Sequence, residues 1–190
     1  MAGKRLLAVA LLFLLTVSVG MGCTTRLLRK EASVPREKKW ESPPAEKEVT
    51  AAKAPQVEVK LYFADTQAQY LVAETRMVST QNTEREALEQ LLKGPQNENL
   101  VAPLPAGTKI LGVETKGNIA YVNFSEELVK KHSGGSAAET MTIYSVVNTL
   151  AQFSGVGKVK ILVEGRTVET ISGHYDLTQP FEPRWDLVRP

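Results

Sequence analysis

The segment SAAETMTIYSVVNTL (residues 136–150) is the longest predicted helix of this chain, and the predicted architecture is built around it. Apolar side chains recur in it at the i, i+3, i+4, i+7 spacing of one helical face. They are Ile143, Val146, Val147 and Leu150. Ser136 and Glu139 have the spacing of a capping box and follow two glycines, so a helix that starts here is predicted. It is the longest predicted element, and its apolar face requires a sheet to pack against.

Strands are predicted on both sides of this helix. Residues 109–115 and 119–124 are predicted strands, and a glycine–asparagine pair at 117–118 suits the tight turn of a hairpin between them. After the helix, residues 158–163 alternate as a strand does. A last strand at residues 167–171 would close another hairpin.

The first part of the domain repeats this arrangement of elements. Residues 57–63 alternate as a half-buried strand does, and residues 70–78 supply a partner for a hairpin. Thr83 and Glu86 have the capping-box spacing and begin a short amphipathic helix, which ends before the Lys-Gly-Pro sequence at 93–95.

The predicted order of elements is therefore ββαββαββ. Strand pairs separated by helices are typical of a mixed sheet with helices on one side. We predict an α+β fold, a two-layer sandwich in which two helices pack on one face of a mixed β-sheet. One domain over residues 56–178 accounts for these elements.

The beginning of the chain has the composition of an export signal. Lys4 and Arg5 precede an apolar run at residues 6–19, and small residues then lead to Cys23, which is the single cysteine of the chain. We predict that residues 1–22 are a lipoprotein signal peptide and that Cys23 is the lipidation site. The protein would then be lipid-anchored on the extracytoplasmic face of the cell membrane.

An uncleaved signal is the alternative for the same segment. Gly20 stands where lipoprotein signals usually have leucine, three residues before the cysteine. If the segment is retained, residues 6–22 are at the short end of what spans a bilayer, and the domain keeps the same outward orientation.

Charge separates the following tether from the folded domain. Residues 24–55 contain eight basic and five acidic residues together with four prolines, so residues 23–55 are predicted to be a disordered tether. Residues 56–190 contain 13 basic and 16 acidic residues. Because the folded part is mildly acidic, nucleic acid is not a predicted partner.

The last twelve residues, 179–190, are rich in proline and contain two large aromatic residues. Phe181 and Trp185 lie between prolines, which is unusual for a solvated chain end. Such rings either pack on their own domain or are presented to another chain, and Trp185 is the residue of greatest interest.

Enzymatic chemistry finds little support in the sequence. His132, His174 and Cys23 are too few for a metal site, and Ser145 lies among apolar helix residues where no nucleophile elbow occurs. The glycines and serine at 134–136 lack the length and the lysine of a phosphate-binding loop. We predict no catalytic residue, no metal and no cofactor; a hydrolase would have to depend on the two histidines.

Several polar residues interrupt the predicted elements. Asn123 follows a strand core and Asn148 interrupts the helical stripe, and both are expected to bond neighbouring backbone. Glu74 and Arg76 share one strand face, either as part of a solvated surface or as a pair that faces a partner.

A set of short motifs carries a family resemblance. In order along the chain they are Leu61-Tyr62-Phe63-Ala64-Asp65, Leu91-Leu92-Lys93-Gly94-Pro95, Leu104-Pro105-Ala106-Gly107-Thr108, Val122-Asn123-Phe124-Ser125, Tyr144-Ser145-Val146-Val147-Asn148-Thr149-Leu150, Val163-Glu164-Gly165 and Gly173-His174-Tyr175-Asp176-Leu177. By their order and spacing the chain resembles the GerMN domain, named for its place in sporulation and germination proteins.

The resemblance implies a non-catalytic domain, often carried by lipoproteins, that is similar to ring-building modules. Such modules self-associate or join envelope assemblies during endospore formation. The implied function is assembly with other envelope or sporulation proteins, possible self-association included, at a membrane reached through the lipid anchor. The alternative is a recognition module for peptidoglycan, for which Tyr62, Tyr70 and Tyr121 are the aromatic platforms that the sequence offers.

Overall fold

The computed structural model describes residues 54–189. Its elements are β1 (Gln56–Asp65), β2 (Leu71–Ser79), α1 (Thr83–Leu92), β3 (Leu100–Val101), β4 (Ile110–Lys116), β5 (Ile119–Phe124), α2 (Glu127–Lys130), α3 (Ser136–Leu150), β6 (Lys158–Val163), a 3₁₀ helix (Trp185–Leu187) and β7 (Val188–Arg189). Within this part of the chain, no helix has the length and apolar character needed to cross a membrane. The predicted signal peptide, Cys23 and nearly all of the tether lie outside the described residues.

The strands form two sheets. The first has the order β3-β1-β2-β7 and the second has the order β4-β5-β6. Each contains antiparallel and parallel neighbours, because β7 runs parallel to β2 and β6 runs parallel to β5. The predicted α+β fold with two main helices is confirmed, and the structure distributes the strands over two mixed sheets.

The two main helices differ in how much of their surface is buried. On α1 one face is buried, with Ala87, Leu88 and Leu91 packed into the core. On α3, in contrast, every residue from Met141 to Leu150 is buried, and Glu139 is buried as well. A helix that is buried on all sides belongs to the interior of a domain, and α3 is the centre of this one.

The two predicted capping boxes are wrong. Asn82 with φ 58° precedes α1 and Gly135 precedes α3, and neither helix has a side-chain cap hydrogen bond. The glutamates of both motifs bond more distant backbone instead. The Glu86 carboxylate accepts a hydrogen bond from the Ser79 amide at 2.6 Å, which ties α1 to the end of β2.

The predicted last strand at residues 167–171 is also wrong. Only Val163 and Arg166 form a bridge at this point, so the third hairpin consists of a turn. The chain that follows is held by the buried carboxylate of Glu139, which binds the amides of Ile171, Ser172 and His174. These amides bond a side chain and are not available for a strand ladder.

Part of the edge of β1 that faces away from β2 is hydrogen-bonded to side chains of α3 and not to another strand. Ser145 donates to the Tyr62 carbonyl at 2.7 Å, and the Tyr62 amide donates to Thr149 Oγ1 at 3.2 Å. One turn further on, the amide side chain of Gln152 accepts from the Lys60 amide and donates to the Lys60 carbonyl. Polar side chains at and just beyond the end of α3 therefore satisfy backbone groups that an edge strand would otherwise leave unpaired.

We expect Thr149→Val to destabilise the protein by about 1–3 kcal/mol. The substitution keeps the shape of the side chain but leaves the buried Tyr62 amide without an acceptor. Urea unfolding of the full chain measures the change. Thr75→Val, at an exposed position of β2, is the control and should lie within about 0.5 kcal/mol of the wild type. Equal stability of the two variants would contradict this role of Thr149.

Candidate interaction surface

One buried carboxylate holds the turn at residues 170–174. Both oxygens of Glu139 accept hydrogen bonds from the turn at residues 170–174. The donors are the hydroxyls of Thr170 and Ser172 and the amides of Ile171, Ser172 and His174. Burial raises the pKa of the Glu139 carboxyl, but the hydrogen bonds outweigh this effect and the net shift is downward. Glu139 is therefore a fixed anion that orders this turn.

The tail is held at two further places. Asn148 donates to the Arg184 carbonyl at 2.9 Å and accepts from the Arg184 amide at 3.0 Å, so one side chain pairs with both backbone groups of a single residue. Phe181 forms two backbone hydrogen bonds with Val159 of β6. The expectation that Asn148 bonds backbone is confirmed, and the tail packs on its own domain.

Trp185 is partly covered by the domain and partly exposed. Its ring contacts Tyr62 edge to face, with 5.9 Å between the ring centroids, yet 47% of the residue remains exposed. The neighbouring Arg184 is held by Asn148 and forms an ion pair with Asp186. Because its flanking backbone is fixed, Trp185 presents an apolar surface that loses little conformational freedom when it is covered.

The register of the first hairpin shows which backbone groups of β2 are free. Asp65 bonds Tyr70, and Thr80 bonds Pro55, so every second pair between these limits shares hydrogen bonds across the two strands. The remaining β2 residues direct their amides and carbonyls away from β1. They are Leu71, Ala73, Thr75, Met77 and Ser79.

Three of these five positions have partners. Leu71 pairs with β7, the parallel pairing of Val72 with Arg189 engages the Ala73 amide, and the Ser79 amide bonds Glu86. Ala73, Thr75 and Met77 are exposed, and the Ala73 carbonyl and the backbone groups of Thr75 and Met77 have no backbone partner among the described residues.

Trp185 adjoins this free edge. Ala73 is the cross-strand partner of Tyr62, on which Trp185 packs, and Met77 is 52% exposed. Cross-strand partners lie on the same face of a sheet. We call Ala73, Thr75, Met77 and Trp185 the β2-edge surface.

Glu74 and Arg76 belong neither to a solvated face nor to an exposed pair. Their ion pair of 2.8 Å is mostly buried, with 13% of the Glu74 side chain and 9% of the Arg76 side chain exposed. Glu74 accepts from the amides of Gln96 and Asn97, and Arg76 donates to the Gly94 carbonyl. The pair holds the turn after α1 against the sheet. The sequence alone did not indicate this role.

Each of the two histidines forms hydrogen bonds within the domain. The His132 ring accepts from the Gly134 amide at Nδ1 and bonds Thr142 Oγ1 through Nε2, 3.0 Å in each case. The His174 amide donates to Glu139. Among residues 54–189 no group of three or more histidine, cysteine or acidic side chains is placed to hold a metal ion.

The other candidates from the sequence are distributed over the domain. Tyr62 is buried, and the Arg189 guanidinium covers the Tyr70 ring at 3.6 Å from its centroid. Ser145 is buried and donates to β1, as described above. Asn123 Oδ1 accepts from the Gly165 amide at 2.7 Å, which confirms the expectation of a backbone bond. Gly134 and Gly135 precede Ser136, the first residue of α3.

Comparison with known proteins agrees with this fold. A family model named Germane, described as sporulation and spore germination, matches residues 60–169. A curated relative, the spore germination protein GerM of Bacillus subtilis, is 34% identical over 118 residues, which are 58% of this chain and 31% of the relative. The chain thus spans about a third of the length of that relative.

Solved structures show the same similarity. The first GerMN domain of the sporulation protein GerM from Bacillus subtilis is 28% identical, with a TM-score of 0.54 over 66% of this chain and 94% of that domain. A Clostridium perfringens protein, described as a candidate lipoprotein, is 26% identical, with a TM-score of 0.51 over 67% of this chain and 87% of its own.

The class defined by this fold is that of the GerMN domains. The chain belongs to the Germane family of sporulation and spore germination. The description of the family names no reaction.

We expect Glu139→Gln to lower the stability of the domain by about 2 kcal/mol or more. The amide group would face donors that now bind a carboxylate, so at least one buried donor loses its acceptor. Hydrogen exchange should show loss of amide protection at residues 171–174 before the rest of the domain. Glu169→Gln, an exposed change in the same segment, is the control. Unchanged protection at 171–174 in the Glu139 variant would contradict the interpretation.

His132 should make stability depend on pH. Burial lowers the pKa of the His132 imidazole below its ordinary value, because it removes water from the charged form of the ring. The neutral ring accepts the Gly134 amide at Nδ1. In the pH range below about 6.5 the unfolded chain therefore binds more protons than the folded chain. The contribution of His132 to stability is complete above this pH and is lost as the pH falls below it. Urea unfolding of wild type and His132→Gln between pH 7.5 and 5 should converge toward the acid end; parallel profiles would contradict this.

Proposed function

We propose that the protein is a non-catalytic envelope lipoprotein, anchored through Cys23 on the extracytoplasmic face of the cell membrane, that acts by protein assembly in sporulation or spore germination. The family of the chain and the name of its curated relative support a role in sporulation or spore germination. The similarity to a candidate lipoprotein and the leader sequence at residues 1–22 support the anchor.

The β2-edge surface is the observation on which the assembly role depends. Free amides and carbonyls on a strand edge form a template for another strand, and native proteins usually cover or charge such edges. Here the Ala73 carbonyl and the backbone groups of Thr75 and Met77 leave the edge exposed, and none of the three residues is charged. Trp185 and Met77 are of the residue types enriched at protein interfaces.

The chemistry of the described domain is consistent with a binding role. The buried polar side chains described above bond the backbone of the domain itself, as Glu139, Asn148 and Ser145 do. Groups that are used in this way are not free to activate a nucleophile or to transfer a proton. What the domain offers to other molecules is surface, and the β2-edge surface combines backbone and apolar contacts.

We expect Met77→Glu and Trp185→Ala each to weaken assembly of the full chain by about tenfold or more, as the loss of an interface anchor does. Self-association is measured by analytical ultracentrifugation in detergent. Assembly with other envelope proteins is measured by photo-crosslinking from position 77 in sporulating cells.

Leu111→Glu is the matched control, because Leu111 is 45% exposed on β4, in the other sheet. It should leave both measurements unchanged. If crosslinks form from position 111 and not from position 77, or if the Met77 and Trp185 variants assemble as wild type does, the β2 edge is not the interface.

A further inference from the structure

The second sheet has one face outside the core. Along β5 the side chains alternate, so that Ala120, Val122 and Phe124 are buried while Tyr121 and Asn123 lie on the opposite face. The neighbouring strands contribute their own outward residues by register. Gly112 and Glu114 pair with Asn123 and Tyr121 from β4, and Leu162 pairs with Asn123 from β6. Together they line a shallow groove of about 420 Å³.

Gly112 forms the floor of this groove. Its φ lies outside the left-handed region, although it is next to an irregularity in the β4–β5 register. A Cβ atom built on Gly112 meets no heavy atom within 4 Å. Glycine inside a strand costs stability and often marks a bulge, as the register shift here does, or a place where a ligand approaches closely, for which the open space above Gly112 leaves room.

Tyr121 supplies an aromatic ring at the side of the groove. Of the tyrosines considered as platforms, Tyr62 is buried and Tyr70 is covered by Arg189, whereas Tyr121 is half-buried and lines the groove. An aromatic ring combines an apolar face with a hydroxyl and suits a ligand that has both kinds of surface.

Polar groups of both kinds stand beside this ring. Asn123 uses Oδ1 to bind the Gly165 amide, and its Nδ2 donor has no hydrogen-bond partner within residues 54–189. Glu114 is exposed and offers acceptor oxygens, one of which forms an ion pair with Lys116 at 2.8 Å. A donor, an acceptor, an aromatic ring and the apolar side chain of Leu162 therefore surround a floor without a side chain.

We propose that this groove binds an N-acetylated hexosamine unit of a glycan. The apolar face of the sugar ring lies on Tyr121, and the acetamido methyl group lies against Leu162. The acetamido carbonyl accepts from Asn123 Nδ2, and a sugar hydroxyl donates to Glu114. This site is independent of the proposed assembly function, which uses the other sheet.

The position of the groove favours a glycan over a polypeptide. β5 is the central strand of its sheet and is hydrogen-bonded on both sides, by β4 and by β6. A peptide therefore cannot add as a strand above it, and main-chain hydrogen bonds, which usually supply peptide affinity, are absent. A sugar needs only side-chain donors and acceptors beside an aromatic face, and these are present.

The test uses the full chain in detergent with two probes. They are a β-1,4-linked tetramer of N-acetylglucosamine, followed by calorimetry, and purified peptidoglycan, followed by co-sedimentation. We expect both to bind wild type, and we expect Tyr121→Ala and Gly112→Leu each to bind about tenfold more weakly or worse. Asn123 is left unchanged because it also holds the turn at Gly165.

Controls separate loss of the site from loss of the fold or of assembly. Gly112→Ala fills little of the groove and should unfold at the same or a higher urea concentration than wild type, and Trp185→Ala should bind both probes normally. The proposal is overturned if the tetramer does not bind, or if Tyr121→Ala and Gly112→Leu bind it as wild type does. Peptidoglycan binding that the tetramer does not compete would indicate the stem peptide and would also overturn it.

Discussion

The structure depends on one helix that is buried on all sides and yet carries polar side chains. A buried polar group destabilises a protein unless it is hydrogen-bonded, so each polar residue of α3 needs a partner in the surrounding chain. Ser145 and Thr149 find theirs on the edge of β1, Asn148 on the tail, and Glu139 on the turn at residues 170–174. The segments around α3 are positioned by these requirements as much as by apolar packing.

This constraint extends to the exposed surfaces. Asn148 fixes the backbone of Arg184, and the next residue, Trp185, is thereby placed over Tyr62, whose own backbone is held by Ser145 and Thr149. The ring and the strand beneath it therefore share one support. A change inside α3 would move both together, so a loss of assembly after such a change would not by itself identify the contact surface.

The sequence was sufficient for elements whose periodicity is local. The alternation at residues 57–63 and the apolar stripe at residues 143–150 correspond to β1 and α3, because each pattern has the period of its element. The patterns did not show that the other faces of α3 are buried as well, or that Tyr62 is buried. For Glu139, local spacing predicts the wrong hydrogen-bond partners. Its spacing from Ser136 is that of a capping box, but its partners lie more than 30 residues away, and no local pattern distinguishes the two uses. The last residue of the strand expected at 167–171 is affected in the same way, because the Ile171 amide is committed to Glu139.

Surfaces were harder to predict than elements because exposure depends on which segments cover which. Tyr62, Tyr70 and Tyr121 were equivalent in the sequence, and the tail made the difference, since Trp185 packs on the first and Arg189 on the second. The tail pairs with β2 through only two residues, Val188 and Arg189, a strand too short to show any periodicity. The same tail leaves the rest of the β2 edge free and does not cover the groove at Tyr121. Two sheets with different exposed features, an edge on one and a face on the other, give a small domain two chemically distinct surfaces, and contacts at one do not require the other to be vacant.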